Sequence, residues 1–138
     1  MQTPLPAGRT LTELDHVRLA ALLRRSTPAP ARTPALAELL DAADLVPSRQ
    51  VDPDVVTMYS QVLLADGHDG SRRTLTLCYP GDAEPEAGFV SVLSPIGAAL
   101  LGCRVGDLAR WRTPAGDERS GEVVALLFQP EASGDYTL

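Results

Sequence analysis

Ser94-Pro95-Ile96-Gly97-Ala98-Ala99-Leu100-Leu101-Gly102 is the stretch around which the rest of this 138-residue chain arranges itself. A serine followed by a proline opens a helix in two complementary ways. The hydroxyl accepts a backbone N–H that the first turn leaves unpaired, and the pyrrolidine ring fixes φ where a helix needs it. Gly102 stops the helix, because glycine takes the left-handed conformation that ends many of them. Gly97 and Gly102 have the glycine spacing of a phosphate-binding loop, but Cys103 stands where that loop needs lysine. The segment is apolar, so its glycines read as helix packing.

On both sides of this helix the apolar period changes to two. Upstream, Val56, Met58, Val62 and Leu64 fall on even positions and run into the turn Asp66-Gly67-His68-Asp69-Gly70, a strand signature. Leu75, Leu77 and Tyr79 alternate with Thr74, Thr76 and Cys78 in a second strand, and an acidic, proline- and glycine-rich loop over 82–88 leads to a third, Phe89 to Leu93. Downstream, Leu108 to Arg112 is a fourth strand, turned by Thr113-Pro114-Ala115-Gly116, and Val123 to Phe128 is a fifth. Five strands and one short helix predict an α+β body with an antiparallel sheet packed on that helix.

The N-terminal third carries a helical period instead. Thr10 with Glu13 fits a capping box, and Leu11, Leu14, Val17 and Ala21 recur at helical spacing as far as Arg24-Arg25. Pro28 and Pro30 forbid continuation. Thr33 then caps a second helix with Pro34 in its first turn, and Leu36, Leu39, Leu40 and Ala43 form its stripe before Pro47. Two helices joined by a short loop predict an antiparallel hairpin with arms of about 20 Å. The expected division is a tail and helical hairpin over 1–50 and the body over 51–138.

Composition narrows the function classes. All twelve basic residues are arginine, which excludes Schiff-base and P-loop lysine chemistry. Residues 1–50 carry six arginines against five acids and residues 51–138 six against thirteen. So acidic a body repels phosphate backbones, and a protein with basic patches suits it better than free nucleic acid. No apolar run approaches a membrane span, and no secretory signal is evident. A cytoplasmic monomer with reduced, buried Cys78 and Cys103 is expected.

The segment 94–102, followed by Val105-Gly106-Asp107, resembles the C-terminal domain of the Gre transcript-cleavage factors, whose fold is FKBP-like. Asp54-Val55-Val56-Thr57-Met58 and Gln129-Pro130-Glu131-Ala132-Ser133-Gly134-Asp135-Tyr136 are similar to the Rnk group, the regulators of nucleoside diphosphate kinase, more than to the Gre factors themselves. The resemblance implies docking on the rim of the RNA polymerase secondary channel through the FKBP-like domain, with the helical arm inserted. The family's docking loop corresponds to Leu93, Ser94 and Pro95, where Gre factors carry aspartate in place of Leu93. Leu93, Ser94, Pro95 and Ile96 are therefore the expected partner-binding residues, although from the residues alone Ser94 and Pro95 read first as a cap and a helix start. Gre factors stimulate RNA cleavage through acidic residues at the arm's tip that help hold magnesium. Here the tip over 24–33 has no carboxylate and offers Arg24, Arg25 and Arg32, giving an arm expected to occupy the channel without promoting cleavage.

No catalytic residue, metal or cofactor is expected. His16 and His68 lie in no metal spacing with the cysteines, and His16 reads as a helix-surface residue. The turn over 66–70 has too few carboxylates for calcium. Prolyl isomerisation is the enzyme alternative suggested by an FKBP-like body, but its aromatic-lined pocket has few candidates here, and Trp111 reads as core. Direct action on nucleoside diphosphate kinase is the remaining alternative.

Overall fold

The computed structural model describes residues 9–25, 34–113 and 115–135. The chain is a mixed α+β protein. Its elements run β1 (Thr10–Thr12), α1 (Glu13–Arg25), α2 (Pro34–Ala42), β2 (Asp44–Val46), β3 (Gln61–Asp66), β4 (Arg72–Cys78), β5 (Phe89–Ser91), α3 (Pro95–Leu100), β6 (Leu108–Arg112) and β7 (Glu118–Phe128). A five-stranded sheet has the order β5-β4-β3-β7-β6, and β1 and β2 form a separate short ladder.

The helix read from 94–102 forms as its residues dictate. The Ser94 Oγ accepts from Gly97 N at 3.1 Å, and Gly102 adopts φ +83° beyond the last turn. Gly97 is required by packing: a Cβ there would lie 2.0 Å from the backbone oxygen of Ser91. The helix thus presses directly on the end of β5.

The sheet is not wholly antiparallel, as the alternation had suggested. β4 and β5 pair in parallel, Thr76 opposite Phe89 and Cys78 opposite Ser91. The acidic loop does not simply reverse the chain; two 3-10 turns, Pro80–Asp82 and Pro85–Ala87, carry it back along β4. The first long strand also starts later than expected, at Gln61. Tyr59 at φ +66° and a turn closed by Ser60 N to Thr57 O at 3.0 Å break the extended run from Val56. Leu108 to Arg112 is a strand as read, and β7 begins earlier than Val123.

The N-terminal segment departs from expectation at its start. Thr10 lies in β1 and donates its N–H to Gly102 O, while the cap of α1 is Thr12, whose Oγ1 accepts from Asp15 N at 3.0 Å. The buried face of α1 carries Asp15 and Leu19, whereas Val17 is 64% exposed. The apolar stripe was misplaced because a carboxylate occupies a core-facing position. Helix α2 buries Leu36, Leu39 and Leu40 and gives way to β2 before Pro47. Thr33 and the segment joining the helices lie outside the described residues.

Leu11, Leu19, Leu36, Leu39 and Leu40 share one apolar cluster with Val62, Leu64, Leu77, Leu100 and Leu101 of the body. The Arg9 guanidinium reinforces this contact, donating to Leu101 O at 3.0 Å and Ala98 O at 2.6 Å at the C-terminal end of α3. Cys78 and Cys103 are free and buried, and burial pushes the Cys103 thiol up to about 11. Trp111 is only partly buried and packs at the margin of the core. Among the described residues no helix is long and apolar enough to cross a membrane.

Candidate docking site

Leu93, Ser94, Pro95 and Ile96 form a corner between β5 and α3, and all four are half-exposed. Three hydrogen bonds within a few residues hold its shape. Leu93 N donates to Ser91 Oγ at 3.0 Å, Ser94 N to Ser91 O at 3.0 Å, and the Ser94 hydroxyl to the same carbonyl at 2.6 Å. That hydroxyl also caps Gly97, so it is used on both sides. The helix-start donors are less open than expected, because Gly97 N is taken by Ser94 Oγ and Ala98 N by Ser94 O. Leu93 and Ile96 rest against the core. What the corner offers a partner is a rigid, part-apolar edge.

The arginines proposed for the arm are divided. Arg24 and Arg25 are exposed in the last turn of α1, where cations complement the helix dipole; Arg32 lies outside the described residues. His16 is not a plain surface residue, since its Nε2 lies 3.0 Å from Leu40 O and links α1 to α2.

A second constellation was not read from the sequence. The Asp15 carboxylate on α1 accepts from Met58 N at 3.1 Å and is 3% exposed. Burial, the dominant cause, lifts its pKa to about 6, against the pull of the Met58 N–H. Beside it Thr57 donates to Glu131 Oε1 at 2.7 Å and lies 2.9 Å from Ser60 Oγ. The Gln129 amide donates to Asp52 O at 2.8 Å and Val55 O at 2.7 Å. The segments 54–58 and 129–135 are therefore one structural joint, closed from the other side by α1. The available signal was a lone carboxylate one helical turn before Leu19, inside an otherwise apolar face. No group of three or more metal-ligating side chains exists among the described residues.

A family model described as "Transcription elongation factor, GreA/GreB, C-term" matches residues 50–127. The chain belongs to the GreA/GreB family. It is 42% identical over 131 residues to the regulator of nucleoside diphosphate kinase of Escherichia coli strain K12, covering 93% of this chain and 95% of that protein. Similarity to the transcription elongation factor GreA of Chloroflexus aggregans is 38% over 81 residues, 59% of this chain but 52% of that factor. The sequence match to this GreA thus spans only part of the chain, whereas the match to the Escherichia coli regulator runs through nearly all of it. Among solved structures, a GreA/GreB transcription elongation factor from Nitrosomonas europaea superposes with a TM-score of 0.72 at 32% identity, over 86% of this chain and 98% of that one.

Proposed function

We propose that this Gre-family chain is a regulator of transcription elongation that binds RNA polymerase at the rim of the secondary channel. The corner Leu93–Ile96 on an FKBP-like body docks, and the helical segment serves as a short hairpin arm. The protein acts as a cytoplasmic monomer, competes with Gre factors and does not stimulate transcript cleavage. Family membership supports the partner, and the carboxylate-free stretch over 24–33 supports the lack of cleavage, because a second magnesium ion needs oxygen ligands that arginines do not supply. Arg24, Arg25 and Arg32 are secondary contacts.

The single observation that carries the docking assignment is the combination at residues 93–96 of local rigidity with partial exposure. A preformed edge loses little conformational freedom on binding. Co-purification with core polymerase, with and without a Gre competitor, tests the reading. Retention that the competitor reverses is expected; no retention, or stimulated RNA cleavage in stalled complexes, refutes it. Pro95→Glu is expected to weaken polymerase binding at least tenfold without lowering the melting temperature appreciably, and unchanged affinity removes the corner from the interface. A direct action on nucleoside diphosphate kinase is favoured by the name of the Escherichia coli relative. Pull-down against purified kinase separates it from the first reading.

A further inference from the structure

Between α1 and the sheet lies an open cleft of about 390 Å³, lined by Arg18, Ala21, Leu22, Arg25, Tyr59 and Tyr79. Its two walls have complementary chemistry. On the helix side Arg18 and Arg25 stand two turns apart, about 10 Å along the axis, with the small Ala21 between them. On the sheet side the Tyr59 and Tyr79 rings pack at 5.8 Å between centroids and 58° between planes.

The aromatic wall is held in an unusual way. Tyr59 is the one non-glycine residue with positive φ among those described, a conformation that a side chain with a Cβ rarely takes. Tyr59 N donating to Leu77 O at 2.7 Å and its hydroxyl donating to Asp82 keep it there. Backbone strain of this kind persists where surroundings over-determine it, and it gathers at ligand clamps. Burial pushes both phenols up to about 12, so neither becomes an anion near neutral pH. Asp82 is tied to Tyr59, and the nearby Asp15 is buried behind the wall.

We propose that this cleft binds a nucleotide, its base against Tyr59 and Tyr79 and its phosphates on Arg18 and Arg25. Guanidinium forks match phosphate oxygens, phenol rings offer a stacking face, and the volume falls in the range of small-ligand clefts. A short acidic peptide would use the arginines but leave the rings without a flat partner. The assignment shares Arg25 with the proposed arm contacts, and it is tested on the free chain, where polymerase plays no part.

Calorimetric titration of the full chain with ADP, UDP, adenosine and pyrophosphate separates the contributions. ADP and UDP are expected to bind one to one, with adenosine and pyrophosphate each at least roughly tenfold weaker, since each lacks one half of the recognition. Arg25→Gln lies on an exposed helix end and is expected to fold normally; it and Arg18→Gln should each weaken ADP by roughly tenfold, the size of one charge-assisted hydrogen bond. In amide NMR spectra, ADP should shift resonances of α1 and of Tyr59 and Tyr79. No binding at millimolar ADP overturns the proposal. So do pyrophosphate binding as tightly as ADP, an Arg25→Gln variant of unchanged affinity, or shifts confined to the arginine-bearing hairpin of β6 and β7.

Discussion

The corner at α3 and the joint around Asp15 are both polar constructions at the edge of the same core, but they are assembled over very different distances along the chain. At the corner, every bond that sets the geometry links residues a turn apart, Ser91 with Leu93 and Ser94, and Ser94 with Gly97. At the joint, Asp15 reaches Met58 across 43 residues, Thr57 reaches Glu131 across 74, and Gln129 reaches Asp52 across 77. The corner exists as soon as the chain over 91–97 adopts its turn and the first turn of α3. The joint exists only when three distant segments have already met, and its polar groups other than the buried Gln129 Oε1 then find partners in place of water. A local device fits the docking role proposed for residues 93–96, because its shape survives fluctuation elsewhere. A distributed device fixes one part of the molecule against another, here α1 against the body.

Four measurements would break or sharpen this contrast. The largest effect is expected at the helix packing beneath the corner. Gly97→Ala places a Cβ against backbone atoms of Ser91 and Val92 that cannot give way as a flexible side chain does, and should cost about 3 kcal/mol in denaturant unfolding. A cost below about 1 kcal/mol would show that α3 shifts freely and that the corner is not rigid.

Next comes the pH dependence of the joint. Asp15 has its folded pKa near 6, above its ordinary 3.8, so folding favours the protonated acid. Its contribution is intact below about pH 4 and is lost as the pH rises through 6, a difference of at most about 3 kcal/mol. Asp15→Asn removes this titration, so the stability of the variant relative to the native chain should rise between pH 4 and 7. A flat difference curve would mean that the carboxylate is solvated and the joint open.

Gln129→Ala should cost about 1–2 kcal/mol, since the carbonyls of Asp52 and Val55 lose their shared donor. Combined with Asp15→Asn, its effect should be non-additive if the joint is one unit, and a double-mutant cycle measures that directly. Smallest is Ser94→Ala, about 1 kcal/mol for a lost cap. Its effect should be additive with Gln129→Ala, because no described bond connects the two regions; coupling between them would dissolve the distinction drawn above.

Legibility in the sequence followed the same divide. The start and stop of α3, the limits of β6 and the turn after it were readable because their causes are neighbours: a serine hydroxyl, a proline ring, a glycine at positive φ. The stripe of α1 was misread because hydrophobicity marks a buried face only when the buried groups are apolar, and Asp15 is not. Val17 shares the helical spacing of Leu14 and Ala21 and is nevertheless solvent-exposed. The parallel pairing of β5 was unreadable because alternation fixes which face a residue occupies, not the direction of the neighbouring strand. The cleft of Arg18, Arg25, Tyr59 and Tyr79 left no mark, since its walls come from a helix and two separate segments of the body.

The sequence by itself determined the α+β class, the short capped helix, the most regular strands, the acidic body and the family to which the chain belongs. Those properties depend on composition and on interactions within a few residues, which any chain reader can evaluate. Tertiary structure alone decided the strand order, the parallel pair, the joint that binds α1 to both ends of the body and the tyrosine–arginine cleft. Each of these arises from groups far apart along the chain, and such groups become neighbours only when burial of the shared apolar cluster brings their segments together.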